Sequence, residues 1–167
     1  MLPPHILRQL YSTLIHPYLT YCNFIWTSTY DTHLTSLRTL QKMALRIITT
    51  GKSPYNAHTK SLFLELNLLN ITQIRTAQTL EFMYKFNNNL LPTAFTDYFP
   101  TVKHTHFTRT DREYISVYPR TNIRKFSIKY QGPLIWNNLP ATFRTVKPFS
   151  HFKQLIKAHI AKNEVCL

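Results

Sequence analysis

Apolar residues recur at steps of three and four along the first half of the chain, and this spacing constrains the fold most. The clearest face consists of Leu34, Leu37, Leu40, Ala44, Leu45 and Ile48. This period is that of an amphipathic helix, because about 3.6 residues make one turn. A half-buried strand would instead alternate apolar and polar residues. We therefore expect a mainly α-helical protein.

Further helices are predicted on the same grounds. The apolar residues between Ile6 and Cys22 predict a helix that Pro17 kinks or splits, because proline removes a backbone donor. Cys22 lies on the apolar face of this predicted helix, so a buried, unreactive thiol is expected. Thr72 is the predicted cap of a third long helix, and Pro148 the predicted first residue of a C-terminal helix.

The composition changes after Pro100, where the helical spacing is lost. Tyr114–Tyr118 and Lys125–Tyr130 are rich in the β-branched and aromatic residues that are typical of strands. Gln131, Gly132 and Pro133 then form a turn signal. We therefore predict two domains. Residues 1–99 form a helical bundle, and residues 100–167 carry a small β-hairpin or extended arm and a C-terminal helix.

The charge of the chain predicts a polyanionic partner. Lysine and arginine total 20 against 7 acidic residues, a net charge of +13. Such an excess is typical of proteins that bind nucleic acid or an anionic membrane surface, although a merely soluble basic protein is an alternative. A membrane surface is the least favoured partner, because the basic faces alternate with leucines and no single large amphipathic stripe exists. No apolar run is long enough for a transmembrane helix, so no membrane partner is expected.

Glycine and cysteine usage narrows the class of protein further. The two glycines exclude a glycine-rich phosphate loop. Cys22 and Cys166 lie at opposite ends of the chain and form no disulfide framework. The expected location is therefore intracellular, either nuclear or cytoplasmic.

Two groups of basic residues are candidates for nucleic-acid contact. Arg38, Lys42 and Arg46 step by four along one helix face, which is either a solvated face or a row of phosphate contacts. The second group is interleaved with aromatic residues, namely Phe107, Tyr114, Tyr118 and Phe126. Its cations are Arg109, Arg120, Arg124, Lys125 and Lys129. Stacking on an aromatic ring contributes about 1–3 kcal/mol for each unpaired base.

No catalytic or metal-binding residue is predicted. Two-metal nucleotidyl transfer requires clustered carboxylates, and only Asp111 and Glu113 are close in sequence, among several arginines. His104 and His106 have no cysteine pair nearby, so a loop is favoured over a zinc site. We expect no cofactor.

Four blocks of sequence carry a family resemblance. They are Leu10–Trp26, with the pattern Leu-Tyr-x-x-Leu-Ile-x-Pro-x-Leu-x-Tyr-Cys; Leu37–Ile48, with Leu-Gln-Lys-x-Ala-x-Arg-Ile; Leu62–Pro92; and Thr108-Arg109 followed by Arg120–Pro140 and Phe152-Lys153. Arg120–Pro140 contains the ordered motif Gly-Pro-x-x-Trp-Asn-x-Leu-Pro. In this order the blocks resemble the region after the palm in reverse transcriptases of LINE-type (non-LTR) retrotransposons, such as the jockey group.

This resemblance implies a thumb-like helical bundle with a post-thumb segment. In the family this region holds the template–primer duplex and does not catalyse bond formation. The family's fingers and palm, with their catalytic aspartates, are absent here. The expected function is thus non-catalytic binding of RNA or an RNA–DNA hybrid. The alternatives are a thumb supplied in trans to a polymerase core, or a degenerate remnant of a 5′-truncated element. Trp26, Trp136 and the Leu139-Pro140 turn are expected to pack rather than bind.

Overall fold

The computed structural model describes residues 2–49, 59–102 and 113–162. In these ranges the chain is mainly α-helical, as predicted. A π-helical turn, Tyr11–Ile15, joins the first two helices, and a 3₁₀ turn covers Thr93–Phe95. The α-helices are α1 Pro4–Leu10, α2 His16–Thr20, α3 Asn23–Trp26, α4 Asp31–Ile48, α5 Thr59–Glu65, α6 Ile71–Asn87, α7 Asn122–Phe126, α8 Ile128–Asn138, α9 Ala141–Arg144 and α10 Phe149–Lys162.

A π-helical turn interrupts the first helical segment just before Pro17, and the backbone stays helical on both sides of it. The π-helical turn lies directly before α2, and the N–H of His16 donates to the carbonyl of Tyr11 across this wider turn. The segment ends at Thr20, and Cys22 adopts a left-handed backbone with φ of 48°. Its thiol is exposed, so the prediction of a buried Cys22 is wrong.

Helix α4 buries a narrower stripe than its sequence suggests. The buried positions are Leu34, Gln41, Leu45 and Ile48. Leu40, which is predicted on the inner face, is 61% exposed, and Leu37 is exposed as well. Three of these positions, Leu34, Gln41 and Ile48, recur every seven residues, so the inner stripe is narrow. This leaves a second row of apolar side chains facing outward.

Gln41 of α4 contacts two other segments at the centre of the N-terminal half. Its side-chain amide donates to the hydroxyl of Tyr11 at 3.0 Å and to the carbonyl of Leu69 at 3.0 Å. Its side-chain oxygen accepts from the N–H of Ile71 at 3.2 Å. Gln41 is buried with all of these groups paired, so it fixes α4 against the π-helical turn and the start of α6.

Helix α6 is the central element of the fold. Asn70, rather than Thr72, caps it: the side chains of Asn70 and Gln73 form a reciprocal capping box. The helix packs against α8 and α10, which come from the other side of residue 99. We name the buried cluster between these helices the C-terminal core; it comprises Leu80, Met83, Tyr84, Phe99, Tyr114, Ile135, Trp136, Leu139, Phe152, Ile156 and Ile160.

The predicted β-hairpin is wrong for the residues that the structure describes. Lys125–Tyr130 lies in α7, a one-residue junction and α8, and Tyr114–Tyr118 is extended without forming a strand. One isolated bridge joins Thr101 to Tyr114. Tertiary packing explains the failure, because Ile135 and Trp136 face the core only when the chain from Ile128 onward is helical.

The expected turn at Gly132-Pro133 is also wrong, since both residues lie buried inside α8. A residue before proline normally avoids the helical region because its Cβ clashes with the proline ring. Gly132 has no Cβ, so this clash is absent. A Cβ at Gly132 would also lie 2.8 Å from the Sδ of Met83, which shows how closely α8 approaches α6.

Candidate nucleic-acid interface

Polar side chains of α8 and α9 hold Glu113 and Tyr114, where the last described range begins. The indole N–H of Trp136 donates to one carboxylate oxygen of Glu113 at 2.6 Å, and Arg144 pairs with the other at 3.4 Å. The amide of Asn137 donates to the carbonyl of Tyr114 at 2.8 Å and accepts from its N–H at 3.3 Å. The Trp-Asn pair of the sequence motif therefore packs and positions, as expected for Trp136.

Helix α7 follows this segment, and its basic side chains are exposed to solvent. The hydroxyl of Thr121 accepts from the N–H of Arg124 and caps the helix. The ring of Phe126 packs edge-on against Tyr30 at 5.0 Å between centroids, which fixes α7 beside the start of α4. Arg124 and Lys125 are both exposed. One face of this short helix thus anchors it while the cations remain accessible to solvent.

Two further cations flank α7 on either side. Arg120 is exposed just before the helix. Lys129 is exposed on the first turn of α8, with its ammonium 5.1 Å from the centroid of the Tyr98 ring. We name the group of Arg120, Arg124, Lys125 and Lys129 the α7 patch. Arg109, the fifth predicted cation of this region, lies outside the described residues.

Within the described ranges, the α7 patch has no carboxylate partner. The ion pairs there join Arg38 to Asp31, Arg144 to Glu113, and Lys153 to Glu81. Like charges gathered without acids repel one another, and phosphate groups would relieve that repulsion. The patch therefore suits an anionic ligand better than the ion-paired Arg38 does.

The residues of the predicted stripe, Arg38, Lys42 and Arg46, lie in different environments. Arg38 is half-buried; its guanidinium lies 2.6 Å from Asp31 and donates to the hydroxyl of Thr72 at 2.9 Å. Lys42 and Arg46 are exposed. Arg46 lies 15 residues beyond the start of α4, or about 22 Å along its axis, so it is far from the end where α7 docks.

Buried ionisable groups of the fold serve structure rather than contact. Arg75 is buried and donates to the carbonyl of Thr27 at 3.3 Å. Burial lowers the pKa of Arg75, an effect that Asp31 opposes and Arg38 reinforces. Burial, followed by the charge of Glu113, raises the pKa of Tyr114 to about 12.

The aromatic residues predicted for base stacking fall into different environments. Tyr114 is buried and its hydroxyl donates to Asn87 at 2.9 Å, while Phe126 is half-buried on Tyr30. Tyr118 is 81% exposed and lies two residues before Arg120. Tyr118 is therefore the accessible stacking surface of this set, and Phe107 lies outside the described residues.

Lys42 lines a cleft that the sequence did not predict. The cleft has a volume of about 260 Å³ and lies where α4, α5 and the start of α6 meet. We name it the Lys42 cleft; its lining includes Lys42, Lys60, Phe63, Leu68, Asn70 and Gln73. These residues are far apart in sequence, and only the packing of three helices brings them together. No local pattern could have found them.

The N-terminal helices leave apolar side chains exposed on one side. We name this set the apolar face; it comprises Leu10, Leu14, Ile15, Leu40, Met43 and Ile47. A groove of about 170 Å³ runs between α1 and α4 within it, with Ala44 in its lining. Contiguous apolar surface of this kind is typical of a contact site for another macromolecule.

Neither a metal centre nor a membrane span is apparent in the described chain. No three histidine, cysteine or acidic side chains in residues 2–49, 59–102 and 113–162 are grouped so that they could hold a metal ion. His104 and His106 lie outside these ranges. The helices of the same ranges lack the combined length and apolar character that crossing a bilayer requires. No family model, curated protein or solved structure matches this chain.

Proposed function

We propose that this protein is a non-catalytic nucleic-acid-binding protein, derived from a reverse transcriptase of a LINE-type retrotransposon, that holds RNA or an RNA–DNA hybrid through phosphate contacts. The α7 patch carries the proposal. Its four cations are exposed and have no carboxylate partner in the described chain, whereas Arg38 and Arg144 each have one. Tyr118 adds an accessible ring beside these cations.

Binding through this patch is largely independent of sequence and falls steeply with salt. Removal of one cation that binds a phosphate reduces the slope of log affinity against log salt by about one. Fluorescence anisotropy with an RNA–DNA hybrid, single-stranded RNA and duplex DNA, each across a salt series, measures that slope and ranks the three ligands. A folded, monodisperse protein that binds none of them contradicts the proposal.

Charge reversal at α7 tests the patch directly. We expect Arg124→Glu with Lys125→Glu to weaken binding about tenfold or more at low salt and to reduce the slope by about two. The matched control reverses Arg8 and Lys147, two exposed cations outside the patch, and gives the same net charge. If both double variants lose affinity equally, binding depends on overall charge and the assignment to α7 is wrong.

A second candidate function is that of a thumb supplied in trans to a separate polymerase core. The apolar face favours it, because exposed apolar side chains of this kind suit a protein contact. The test adds the protein to a LINE-type polymerase core that lacks its own thumb. Restored processivity supports this function, and substitution of Leu40 and Met43 by glutamine should abolish the effect.

A degenerate remnant of the element predicts a different behaviour. Its apolar face would drive non-specific self-association, and the preparation would bind nucleic acid no better than an unrelated protein of equal charge. Sedimentation velocity together with the anisotropy series separates this outcome from the two functions above.

A further inference from the structure

The Lys42 cleft combines a basic residue with an apolar wall. Lys42 belongs to α4, and Lys60, another residue of the lining, belongs to α5. Phe63 and Leu68 supply the apolar part of the lining. None of the described residues that line the cleft is acidic. A ligand that matches this surface has an anionic group attached to a flat apolar body.

The polar end of the cleft is held rigid by the capping box of α6. The side-chain oxygens of Asn70 and Gln73 accept from each other's backbone N–H at 2.8 and 3.0 Å. The side-chain amide of Gln73 also donates to the carbonyl of Ile160 at 3.2 Å. The side chain of Gln73 is therefore held in place within the lining of the cleft. Because the oxygen of Asn70 is held by the cap, its NH₂ group remains oriented as a hydrogen-bond donor.

The volume and position of the cleft restrict the ligand further. About 260 Å³ suits one small ligand rather than a helix of nucleic acid. A paired base cannot enter such a recess without leaving its stack, which costs a few kcal/mol, whereas an unpaired base at a strand end is available at once. The start of α6 adds the partial positive charge of a 17-residue helix.

We infer that the Lys42 cleft binds one unpaired nucleotide. The phosphate pairs with the ammonium group of Lys42, the base lies against Phe63 and Leu68, and the amide of Asn70 donates to an acceptor of the base or the phosphate. This inference rests on the proposed function when the nucleotide belongs to a strand held by the α7 patch. A free nucleotide presents the same chemistry.

Titration with small probes tests the cleft by itself. The probes are adenosine 5′-monophosphate, adenosine and inorganic phosphate, and the readout is the side-chain amide signal of Asn70 in ¹H–¹⁵N NMR spectra. We expect a saturable shift with the monophosphate and much weaker shifts with the other two. Equal shifts with phosphate would reduce the cleft to an anion site, and no saturable shift would leave it without a ligand; either result overturns the inference.

Substitution of one lysine gives the matched comparison. Lys42→Ala should weaken binding of the monophosphate about tenfold, because it removes one charge-assisted hydrogen bond to the phosphate. Lys147→Ala removes the same charge from an exposed position outside the cleft and should leave binding unchanged. Both lysines are exposed, so neither change threatens the fold. Equal effects of the two variants overturn the inference.

Nucleic-acid ligands then separate the cleft from the α7 patch. A blunt RNA–DNA hybrid is compared with the same hybrid carrying a three-nucleotide overhang. Lys42→Ala should remove the preference for the overhang and leave affinity for the blunt hybrid unchanged. An equal loss of affinity for both ligands overturns the inference that the cleft binds an unpaired nucleotide. Charge reversal of Arg124 and Lys125 should lower the affinity for both ligands by the same factor. If it does not, while Lys42→Ala behaves as expected, the proposed function is wrong and the assignment of the cleft remains.

Discussion

The C-terminal core buries its apolar side chains, whereas the N-terminal helices leave several of theirs exposed. In the C-terminal core, Met83, Trp136 and Phe152 are completely buried, and the ring of Tyr84 stacks on Phe152 at 4.4 Å between centroids. On the N-terminal helices, Leu14 and Leu40 are about 60% exposed. The same residue types thus stabilise one region and remain available for contact in the other.

This contrast separates what holds the fold from what it offers to partners. Burial of a large apolar side chain contributes about 1.5–3 kcal/mol, so the C-terminal core supplies a large share of the stability. An exposed leucine contributes little to folding. The apolar face and the α7 patch are therefore surfaces on which substitutions should change binding while the fold persists.

The largest expected effect is at the centre of the C-terminal core. Trp136→Ala should lower the free energy of unfolding by about 3–5 kcal/mol, because it leaves a cavity and removes the indole donor of Glu113. Urea denaturation followed by far-UV circular dichroism measures the loss. Tyr118→Ala, at an exposed position, is the control and should change stability by less than about 0.5 kcal/mol. A loss below about 1 kcal/mol at Trp136 would contradict the contrast between the regions.

Periodicity predicted the long helices because their inner faces repeat at helical spacing over many turns. Helix α4 is predicted from Leu34, Leu45 and Ile48, all of which are buried. The same signal overestimates its inner face at Leu40, because α4 buries only the positions that meet its neighbours, and these form a narrower stripe than the apolar residues of the sequence. The prediction for Lys125–Tyr130 fails for the opposite reason, because packing of the following residues overrides a local preference for strand.

The candidate sites were predictable only where neighbours in sequence form them. Arg124 and Lys125 lie together in one helical turn, so a local cluster is visible in the sequence. Arg38 is predicted to belong to a basic stripe because nothing in its neighbourhood indicates that Thr72, 34 residues away, holds it. Lys60 and Lys42 are far apart in sequence, and only the packing of α5 on α4 brings them into one cleft.

Alkaline pH should loosen the C-terminal core in a defined window. Burial raises the pKa of Tyr114 from its ordinary value of 10.0 to about 12. Its stabilising contribution is thus complete below pH 10 and is lost as the pH rises through 12, by on the order of 2 kcal/mol. Unfolding free energies measured between pH 9 and 12 should fall less steeply in Tyr114→Phe. Identical slopes in the two proteins would show that Tyr114 is not the group responsible.

A smaller effect is expected where α8 approaches α6. Gly132→Ala places a Cβ 2.8 Å from the Sδ of Met83 and 3.3 Å from the ring of Phe99. Overpacking costs about 1–3 kcal/mol, and the new Cβ also meets the ring of Pro133; the better helix propensity of alanine offsets these costs by at most about 1 kcal/mol. A net loss of about 1 kcal/mol is expected. A double-mutant cycle with Met83→Ala should show coupling, and strict additivity would mean that the contact is not the cause.

The smallest effect on stability, and the sharpest test of the contrast, concerns the apolar face. Leu40→Gln with Met43→Gln should change the free energy of unfolding by less than about 0.5 kcal/mol, because both side chains already face solvent. Association with a polymerase core through this face should nonetheless fall, as sedimentation velocity would detect. Raising the salt concentration should weaken nucleic-acid binding, since it screens the attraction between phosphates and a chain of charge +13, and should leave the apolar contact with the polymerase core intact. If the double substitution unfolds the protein, these residues belong to the core and the contrast between the two regions fails.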